Sequence, residues 1–382
     1  MRIPAKARPF AFGAFQVVPY QSAEAAIAAG ELESQNASPG LLPHRLDWLQ
    51  ATATGGAWWL SVRNLEERPV AGFSVSVIRA RSLPGHRFLR LERLRFAPDP
   101  GPAEAAVRCL VDIARRDGRT VSLTVEPFFA DEVERDRART VLERAGFRLA
   151  REARLYTHTV RIDLTPEQKE ILAGFHHTAR QNIREVGKRP VEIRLVQDSA
   201  LAPRLDEILA ESFARTDASA EREPWSALVA YCRAQPDVAR LVSLVRTDRA
   251  GPEALVAFAL GLNHGDHVEY AVAGSTRTPD LRMSFGYALV WDLACWARDV
   301  GARWFDLGGI VPPSAEDDER RGIHEFKRRF GKGVVEVRQE WLFEARPVRG
   351  AWVRAAARLA ARVRDFKRPR SHRGRRGPEA PR

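Results

Sequence analysis

An internal repeat is the feature that most restricts how this chain can fold. Two segments, offset by roughly 183 residues, share one order of patterns: an extended run, a helical run, a glycine and a second extended run. In the first copy these parts are Arg87–Phe96, Ala103–Arg116, Gly118 and Thr120–Val125. In the second copy they are His267–Ala273, Ser284–Val300, Gly301 and Ala302–Leu307. A unit of this kind that occurs twice predicts two α/β lobes whose central strands are covered by helices.

Both copies continue in the same way, with a charged helix, a glycine and a closing strand. The first helix is Asp131–Arg144, before Gly146, and its counterpart carries Glu325–Arg329, before Gly331. We expect each lobe to close with a strand of its own. These closing strands are Tyr156–Ile162 and Val334–Phe343.

The boundary between the lobes falls at Leu164, where the first copy ends and a new helix begins. Thr165 is a residue type that caps helix N-termini, Pro166 suits the first helical position, and Gln168 completes a capping box. This pattern predicts a helix that starts at Pro166. It divides the chain into a first lobe at residues 1–164, a second lobe at 165–345 and a tail at 346–382.

Composition indicates a globular protein in a reducing compartment. The chain has 382 residues, more than usually fold around a single hydrophobic core, and 45% of them are hydrophobic. Cys109, Cys232 and Cys295 are far apart and form no Cys-x-x-Cys pair, so neither a disulfide framework nor a zinc site is indicated. The amino terminus lacks the apolar run of a signal peptide, and no window approaches the roughly 18 apolar residues of a membrane span. We expect a cytoplasmic protein.

Nearly all of the net charge of +12 lies in the tail, where 13 basic residues stand against two acidic ones. The apolar tail residues recur at helical spacing and basic residues line another face, which predicts a basic amphipathic helix. The apolar positions are Trp352, Ala356, Leu359, Val363 and Phe366, before Pro369. Such a helix suits the anionic inner face of a membrane, through residues 346–376, or an RNA backbone. A solvated helix packed on the body is the alternative.

Two segments of the second copy carry the residues suited to chemistry. The run from Trp304 to Ile310, Trp-Phe-Asp-Leu-Gly-Gly-Ile, reads as a buried strand whose two glycines let the backbone approach a ligand closely. Further on, Phe326-Lys327-Arg-Arg-Phe330-Gly331 places a lysine between phenylalanines on a helix. Together these segments resemble the signature of the Fem family, the aminoacyltransferases that build peptidoglycan interpeptide bridges. The lobe pattern resembles the GNAT superfamily of acyltransferases, and the resemblance spans about residues 10–345.

The resemblance implies a fold, a reaction and partners. The fold would be two tandem GNAT-like lobes, each a mixed, mostly antiparallel sheet covered by helices. The donor would be an aminoacyl-tRNA and the acceptor an amine of a peptidoglycan precursor, with no bound cofactor and no metal. Lys327 matches the family lysine that would hold the donor's terminal phosphate or stabilise charge at the reacting carbonyl. Gly308, Gly309 and Phe326 would contact the substrate.

The acceptor amine must lose a proton, so a carboxylate near Lys327 is expected. Asp306 is a candidate because an unpaired carboxylate in an apolar strand is costly; it has either a buried partner, such as the amides of the glycine turn, or a catalytic role. Glu269 is the other candidate, and since Tyr270 points to the opposite face of its strand, at most one of these two lines the cleft. Arg180 and Arg184, one helical turn apart, could hold a diphosphate or a carboxylate.

Two other functions remain open. An acyl-CoA-dependent N-acyltransferase of cell-envelope or exopolysaccharide biosynthesis would place pyrophosphate on a glycine-rich loop, but between Thr276 and Tyr287 only Gly286 is present. The other alternative is a non-catalytic binding protein, a degenerate two-lobe body that its basic tail recruits to a membrane or to RNA. The two histidines of Asn263–His267 raise the idea of a metal site. The segment indicates a hairpin turn instead, because Asn, Gly and Asp are the residues that turns require.

Overall fold

A computed structural model describes the protein at residues 9–32, 41–52, 57–215, 223–278, 280–281, 283–311, 321–331, 333–353 and 355–356. The described strands are β1 (Phe10–Phe12), β2 (Phe15–Tyr20), β3 (Ala57–Arg63), β4 (Pro69–Arg79), β5 (Arg87–Leu94), β6 (Thr120–Pro127), β7 (Arg148–Leu149), β8 (His158–Asp163), β9 (Val191–Leu195), β10 (Ala239–Arg246), β11 (Leu255–Asn263), β12 (His267–Ser275), β13 (Trp304–Ile310), β14 (Val334–Glu336) and β15 (Trp341–Glu344).

The described α-helices connect and cover these strands. They are α1 (Ala23–Ala28), α2 (Leu46–Thr52), α3 (Gly101–Asp117), α4 (Glu132–Arg144), α5 (Gln168–Gly174), α6 (His177–Glu185), α7 (Ala202–Ala214), α8 (Trp225–Ala234), α9 (Gly286–Asp299) and α10 (Arg321–Arg328).

The described strands form two mixed sheets. The first has the order β1-β2-β3-β4-β5-β6-β15-β7 and the second has the order β14-β8-β13-β12-β11-β10-β9. In each sheet one described pair is parallel, β5 with β6 and β12 with β13, and the other pairs are antiparallel. The helix between the two parallel strands is α3 in the first lobe and α9 in the second. The predicted repeat and the predicted fold class of two helix-covered, mostly antiparallel lobes are therefore confirmed.

The closing strands are exchanged between the copies, which corrects the expectation that each completes the sheet of its own lobe. β8, from the end of the first copy, pairs with β13 of the second sheet. β15, from the end of the second copy, pairs with β6 of the first sheet. Sequence pattern identifies a strand but not its partner, because pairing is decided by tertiary contacts. The second sheet is thus built from one continuous segment of the chain, and the first sheet is completed by β15, whose residues lie inside the predicted second lobe. The division of the chain at residue 164 remains a prediction.

The helix at the lobe junction starts later than predicted and uses another cap. Thr165 donates its hydroxyl to Asp163 Oδ1 at 2.7 Å instead of capping a helix. The N-cap of α5 is Glu167, which forms a reciprocal capping box with Glu170. A bend at Phe175, whose side chain is buried, separates α5 from α6. The single connecting helix expected from the sequence is therefore two helices.

Each sheet has its own apolar core. The first core lies between the first sheet and helices α3 and α4, and the second lies between the second sheet and α9. An apolar stripe of α9 packs into this second core; its members are Leu289, Leu293, Trp296 and, partly buried, Val300. Helices α7 and α8 cover the opposite face of the second sheet.

The start of the tail is helical at residues 347–353 and 355–356. It is attached to the first lobe, because Arg349 donates to the carbonyl of Gly118 at 2.6 Å. Val348 and Trp352 are 82% and 59% exposed. The remainder of the predicted apolar stripe, Leu359, Val363 and Phe366, and also Pro369 lie outside the described residues. Within the described part of the chain, no helix combines the length and the apolar character needed to cross a membrane.

Candidate active site

The two parallel strands of the second lobe separate where the predicted site residues lie. β12 and β13 pair at His267 with Trp304, at Val268 with Phe305 and at Glu269 with Asp306. The pairing stops there, although the strands continue to Ser275 and Ile310. The sheet therefore opens a gap directly after Glu269 and Asp306, and backbone groups on both sides of it lose their inter-strand partner.

A bulge in β13 follows this last pair. The register with β8 is Asp306 with Arg161 and then Gly309 with Thr159, so an irregularity lies between them. Gly308, within the bulge, has φ +71, a backbone conformation that favours glycine. A Cβ on Gly309 would lie 2.7 Å from Cβ of Tyr156, so this second glycine is required for close packing. The glycine pair thus serves the strand geometry.

Asp306 is completely buried and holds this bulge in place. Its Oδ1 accepts the backbone N–H of Gly308 at 2.7 Å and the hydroxyl of Thr159. Its Oδ2 is buried without a hydrogen-bond partner among the described residues. Burial raises the pKa of the Asp306 carboxyl, and the neighbouring charge of Glu269 raises it further. The buried partner anticipated for Asp306, an amide of the glycine turn, is present, and one oxygen remains available.

Lys327 reaches the same bulge from helix α10. Its Nζ donates to the carbonyl oxygen of Gly309 at 2.7 Å and would lie 3.7 Å from a Cβ on Gly308. Burial lowers the pKa of the Lys327 ammonium from its usual 10.5 to about 8, while the charges of Asp306 and Glu269 oppose this shift. An ammonium group that is partly removed from water thus lies beside the gap between β12 and β13.

Glu269 is fully engaged by its neighbours. It forms an ion pair with Arg93 of the first lobe, accepts the Tyr156 hydroxyl at 2.8 Å and lies 3.4 Å from Nε2 of His264. Burial would raise the pKa of the Glu269 carboxyl, yet the charge of Arg93 and the contact with His264 hold it well below its usual range. A carboxylate held in this way is a weak proton acceptor, so the geometry favours Asp306 over Glu269 as the base.

Two histidines flank the ion pair. The predicted turn at Asn263–His267 is present between β11 and β12, but both of its histidines are buried. His267 stacks on Trp304 with ring centroids 4.2 Å apart, and its Nδ1 lies 2.7 Å from Asp266 Oδ1. Burial lowers the pKa of His264 to about 4 and that of His267 to about 3, so both rings are neutral at pH 7. Among the described residues there is no group of three or more residues able to hold a metal ion.

Tyr270 and Phe326 lie on the side of the second sheet that α9 covers. Tyr270 packs in the core there, and burial raises the pKa of its hydroxyl. Its carbonyl oxygen would lie 3.4 Å from a Cβ on Gly308, so the backbone of Tyr270 borders the bulge. The ring of Phe326 packs on Tyr287, and a Cβ on Gly286 would meet it at 3.0 Å. Phe326 therefore fixes the position of α10, and hence of Lys327, against the start of α9.

The two predicted binding arginines are placed differently. Arg180 donates to the carbonyls of Ala173, at 3.0 Å, and of Phe175, so it satisfies the C-terminal end of α5. Arg184 lies on the exposed side of α6. The geometry gives Arg180 a structural role, and a shared ligand for the pair stays a prediction.

Sequence reasoning missed four groups of this site. Arg93 and Tyr156 contact Glu269, Thr159 contacts Asp306, and Arg338 donates to the Tyr156 hydroxyl at 3.3 Å. Arg93 comes from the first lobe and Arg338 from the connection between β14 and β15. These contacts depend on strand pairing and on the way the lobes meet, so only the two histidines of the turn gave a local signal.

A cavity of about 810 Å³ lies between the lobes on the Arg93 side of this cluster. Its described lining is mainly apolar and includes charged groups from both lobes. Among the lining residues are Phe15, Val70, Phe73 and Pro98 of the first lobe and His264 and Asp266 of the second. Arg95, also in the lining, is bound to Glu134 and Asp266. The cavity is therefore large enough for a small substrate, and its arginines already have acidic partners.

Comparisons with known proteins agree with this architecture. The family model of the acetyltransferase (GNAT) domain matches residues 173–328, which include the gap, the bulge and Lys327. No curated protein matches the chain in sequence. The crystal structure of FemX superimposes with a TM-score of 0.67 at 14% identity, over 85% of this chain and 98% of that chain. The structure of L-PGS from Bacillus licheniformis has a TM-score of 0.52 at 11% identity, over 87% of this chain and 96% of that chain.

The match and the shared fold identify the class of protein. Residues 173–328 carry a GNAT acetyltransferase domain, and the chain as a whole has the two-lobe fold seen in FemX. The protein is an acyltransferase with a Fem-like fold.

Proposed function

We propose that this acyltransferase with a GNAT domain moves an aminoacyl group from a charged tRNA to an amine of a peptidoglycan precursor. The observation that carries the proposal is the Lys327 ammonium, held on the Gly309 carbonyl beside the gap between β12 and β13. In an aminoacyl ester the carbonyl is already activated. The protein must therefore orient the amine and stabilise the negative charge that develops on the carbonyl oxygen.

Lys327 supplies the positive charge for that step. Its remaining N–H donors, beyond the one given to Gly309, are available to the carbonyl oxygen of the donor or to its terminal phosphate. With a pKa of about 8 the side chain is mostly charged at pH 7. Because it is partly withdrawn from water, its charge acts more strongly on the reacting carbonyl than that of an exposed lysine.

Asp306 is the proposed acceptor of the proton lost by the amine. The amine attacks the carbonyl carbon, a C–N bond forms and the ester C–O bond breaks. The proton taken up by Asp306 then passes to the leaving oxygen, so the tRNA leaves with its hydroxyl restored and Asp306 returns to the carboxylate. Asp306 has the unpartnered oxygen and the raised pKa that suit a base, whereas Glu269 is held as a carboxylate by Arg93. Asp306 is buried in the free protein, so the amine would reach it through the gap.

The cavity between the lobes is the proposed place for the acceptor. It borders Arg93 and His264, which contact Glu269 at the edge of the gap. This arrangement would bring an acceptor held between the lobes toward the carbonyl from the side opposite α10.

An acyl-CoA donor is the second candidate, and the description of the matching family model as an acetyltransferase domain favours it. Against it, Gly286 is the sole glycine between Thr276 and Tyr287, so the loop before α9 lacks the glycines of a pyrophosphate cradle.

We further propose a cytoplasmic location with a peripheral contact to an anionic membrane surface. The support is the net charge of the tail and the exposure of Val348 and Trp352 on its described start.

The test is transfer onto a peptidoglycan pentapeptide precursor, followed by mass spectrometry, with charged tRNA or a panel of acyl-CoA compounds as donor. An aminoacyl addition that ribonuclease abolishes, and that Lys327→Met lowers at least a hundredfold, is the expected result. Arg328→Met, which removes the exposed neighbouring cation, is the matched control and should retain activity. Addition with acyl-CoA alone would replace the tRNA donor, and an unchanged rate in Lys327→Met would overturn the role of Lys327.

A further inference from the structure

Arg93 departs from the regular path of its strand. It lies near the end of β5, where the pairing with β6 becomes irregular between Leu91 and Leu94. Its φ is +51, which is uncommon for a residue other than glycine, asparagine or aspartate. Its side chain is nevertheless buried, at 5% exposure. A strained backbone that buries an arginine persists only where the surrounding structure holds it, and such positions cluster at functional sites.

Arg93 points out of the first lobe and into the second. Its Nη1 donates to Nε2 of His264 at 3.2 Å and to Nε2 of His267 at 3.3 Å. Its Nη2 forms the ion pair with Glu269 and lies 3.4 Å from the Tyr156 hydroxyl. The guanidinium also stacks on Phe128, 4.8 Å from the ring centroid. Both terminal nitrogens of Arg93 are therefore used by residues around the gap.

The tautomer of His267 agrees with this role. A guanidinium is only a donor, so Nε2 of His267 accepts from Arg93. His267 then carries its proton on Nδ1 and donates it to Asp266, 2.7 Å away. The His267 ring is thereby neutral, and Arg93 is the cation that faces Glu269 from this side.

The charges near the gap are closely coupled. The titratable or charged groups that act on Glu269 are Arg93, Tyr156, His264, Arg338 and Asp306. Those that act on Lys327 are Asp306 and Glu269. Because Glu269 and Asp306 are register partners on adjacent strands, removing the cation from Glu269 leaves two buried carboxylates side by side next to Lys327.

We propose that Arg93, supplied by the first lobe, is a positioning residue of the transfer site: it holds Glu269 and balances its charge, and so sets the charge around Asp306 and Lys327. The inference rests on the proposed function for its significance. Its physical content, a first-lobe arginine that controls the ionisation of a second-lobe lysine, can be measured without any substrate.

The measurement is competitive acetylation of Lys327 by acetic anhydride from pH 6 to 11, read by peptide mass spectrometry. In the natural protein the reaction should have its midpoint near the pKa of about 8. Arg93→Met should raise this midpoint by about one unit, because an unbalanced carboxylate favours the charged lysine. Arg93→Met combined with Glu269→Gln removes one charge of each sign and should return the midpoint to within about 0.3 unit of the natural value.

Arg95→Met is the matched control. Arg95 also joins the lobes, because it pairs with Glu134 of the first lobe and with Asp266 of the second, but its described ion pairs do not include Glu269. This variant tests a purely structural contribution and should leave the midpoint unchanged. An unchanged midpoint in folded Arg93→Met, or an equal shift in Arg95→Met, would overturn the proposal.

If Arg93→Met does not fold, the double variant and Arg93→Lys decide. Both variants should fold and should show the labelling midpoint of the natural protein. A shift of this midpoint by more than about half a pH unit in either variant would refute the proposal that Arg93 balances the charge of Glu269. Where transfer is detected, the alkaline limb of the rate against pH should move with the labelling midpoint. If transfer is absent but the midpoints shift as expected, the charge coupling stands and the proposed function fails.

Discussion

Lys327→Met should stabilise the folded protein near pH 7 while it removes transfer activity. Burial lowers the pKa of Lys327 from 10.5 to about 8. A difference of about 2.5 units corresponds to about 3 kcal/mol by which the folded state disfavours the charged side chain. Methionine avoids this cost and fills similar space, but it loses the hydrogen bond from Lys327 to the Gly309 carbonyl, worth about 1–2 kcal/mol. The net expectation is a gain of about 1–2 kcal/mol in the free energy of unfolding.

The gain must depend on pH in one direction. Below pH 8 the lysine is charged in the folded and unfolded states, so the full cost of about 3 kcal/mol is present. Between pH 8 and about 10.5 the unfolded chain binds more protons than the folded one, so the natural protein becomes more stable relative to the variant. At pH 9.5 the cost has fallen to about 1.4 kcal/mol. The advantage of Lys327→Met should therefore shrink by about 2 kcal/mol from pH 7 to pH 9.5.

Urea unfolding at the two pH values, followed by circular dichroism, measures this difference. Arg328→Met is the control, because it removes a cation from the same helix on an exposed side and should show no such dependence on pH. A variant at Lys327 that is less stable at pH 7, or a difference that does not change with pH, would refute the reasoning. The lysine would then lie in water, and its role in charge stabilisation would lose its electrostatic basis.

Three further predictions concern the surroundings of the site. Gly309→Ala should lower the free energy of unfolding by about 1–3 kcal/mol and abolish transfer, because the alanine Cβ would lie 2.7 Å from Cβ of Tyr156. Urea unfolding measures the loss, and a variant as stable as the natural protein would contradict this close packing. Arg180→Met should lower stability by about 1 kcal/mol through the carbonyls of α5 and leave the KM for acceptor unchanged, whereas a rise in KM would indicate a ligand contact. Trp352→Ala should weaken cosedimentation with anionic vesicles several-fold at an unchanged unfolding midpoint, because Trp352 is exposed; equal binding would argue against a membrane role for this face.

The local structure of the repeat could be predicted because it depends on local chemistry. Helix α3 was expected at Ala103–Arg116 and spans Gly101–Asp117, and it ends at Gly118 with φ +69. A glycine in this conformation is the usual end of a helix, so one residue type marks the boundary. The Fem-like motif identified Asp306, Gly308, Gly309 and Lys327, and the fold brings them together at one bulge.

What could not be predicted depends on tertiary contact. In strand β5 the buried residues Arg87, Leu89 and Leu91 alternate with the more accessible Phe88, Arg90 and Glu92, so the pattern places Arg93 on the buried face but does not identify its partners. Its burial follows from the second lobe, since its partners His264 and Glu269 lie more than 170 residues further along the chain. For the same reason the sequence offered Glu269 as a candidate base and gave no sign of its ion pair with Arg93. The exchange of β8 and β15 is equally a matter of strand pairing and not of strand propensity.

The exchanged strands explain how charged groups can be buried between the lobes. Taking an arginine and a carboxylate out of water costs several kcal/mol, which a loosely tethered interface would avoid. Here the chain passes from β7 to β8 and returns from β14 to β15 through short connections, residues 150–157 and 337–340, so the lobes are held together at a high effective concentration. The interface therefore does not have to supply all of the energy that keeps the lobes docked. That leaves the first lobe free to contribute Arg93 to the charge balance of a site whose lysine, bulge and carboxylates all belong to the second.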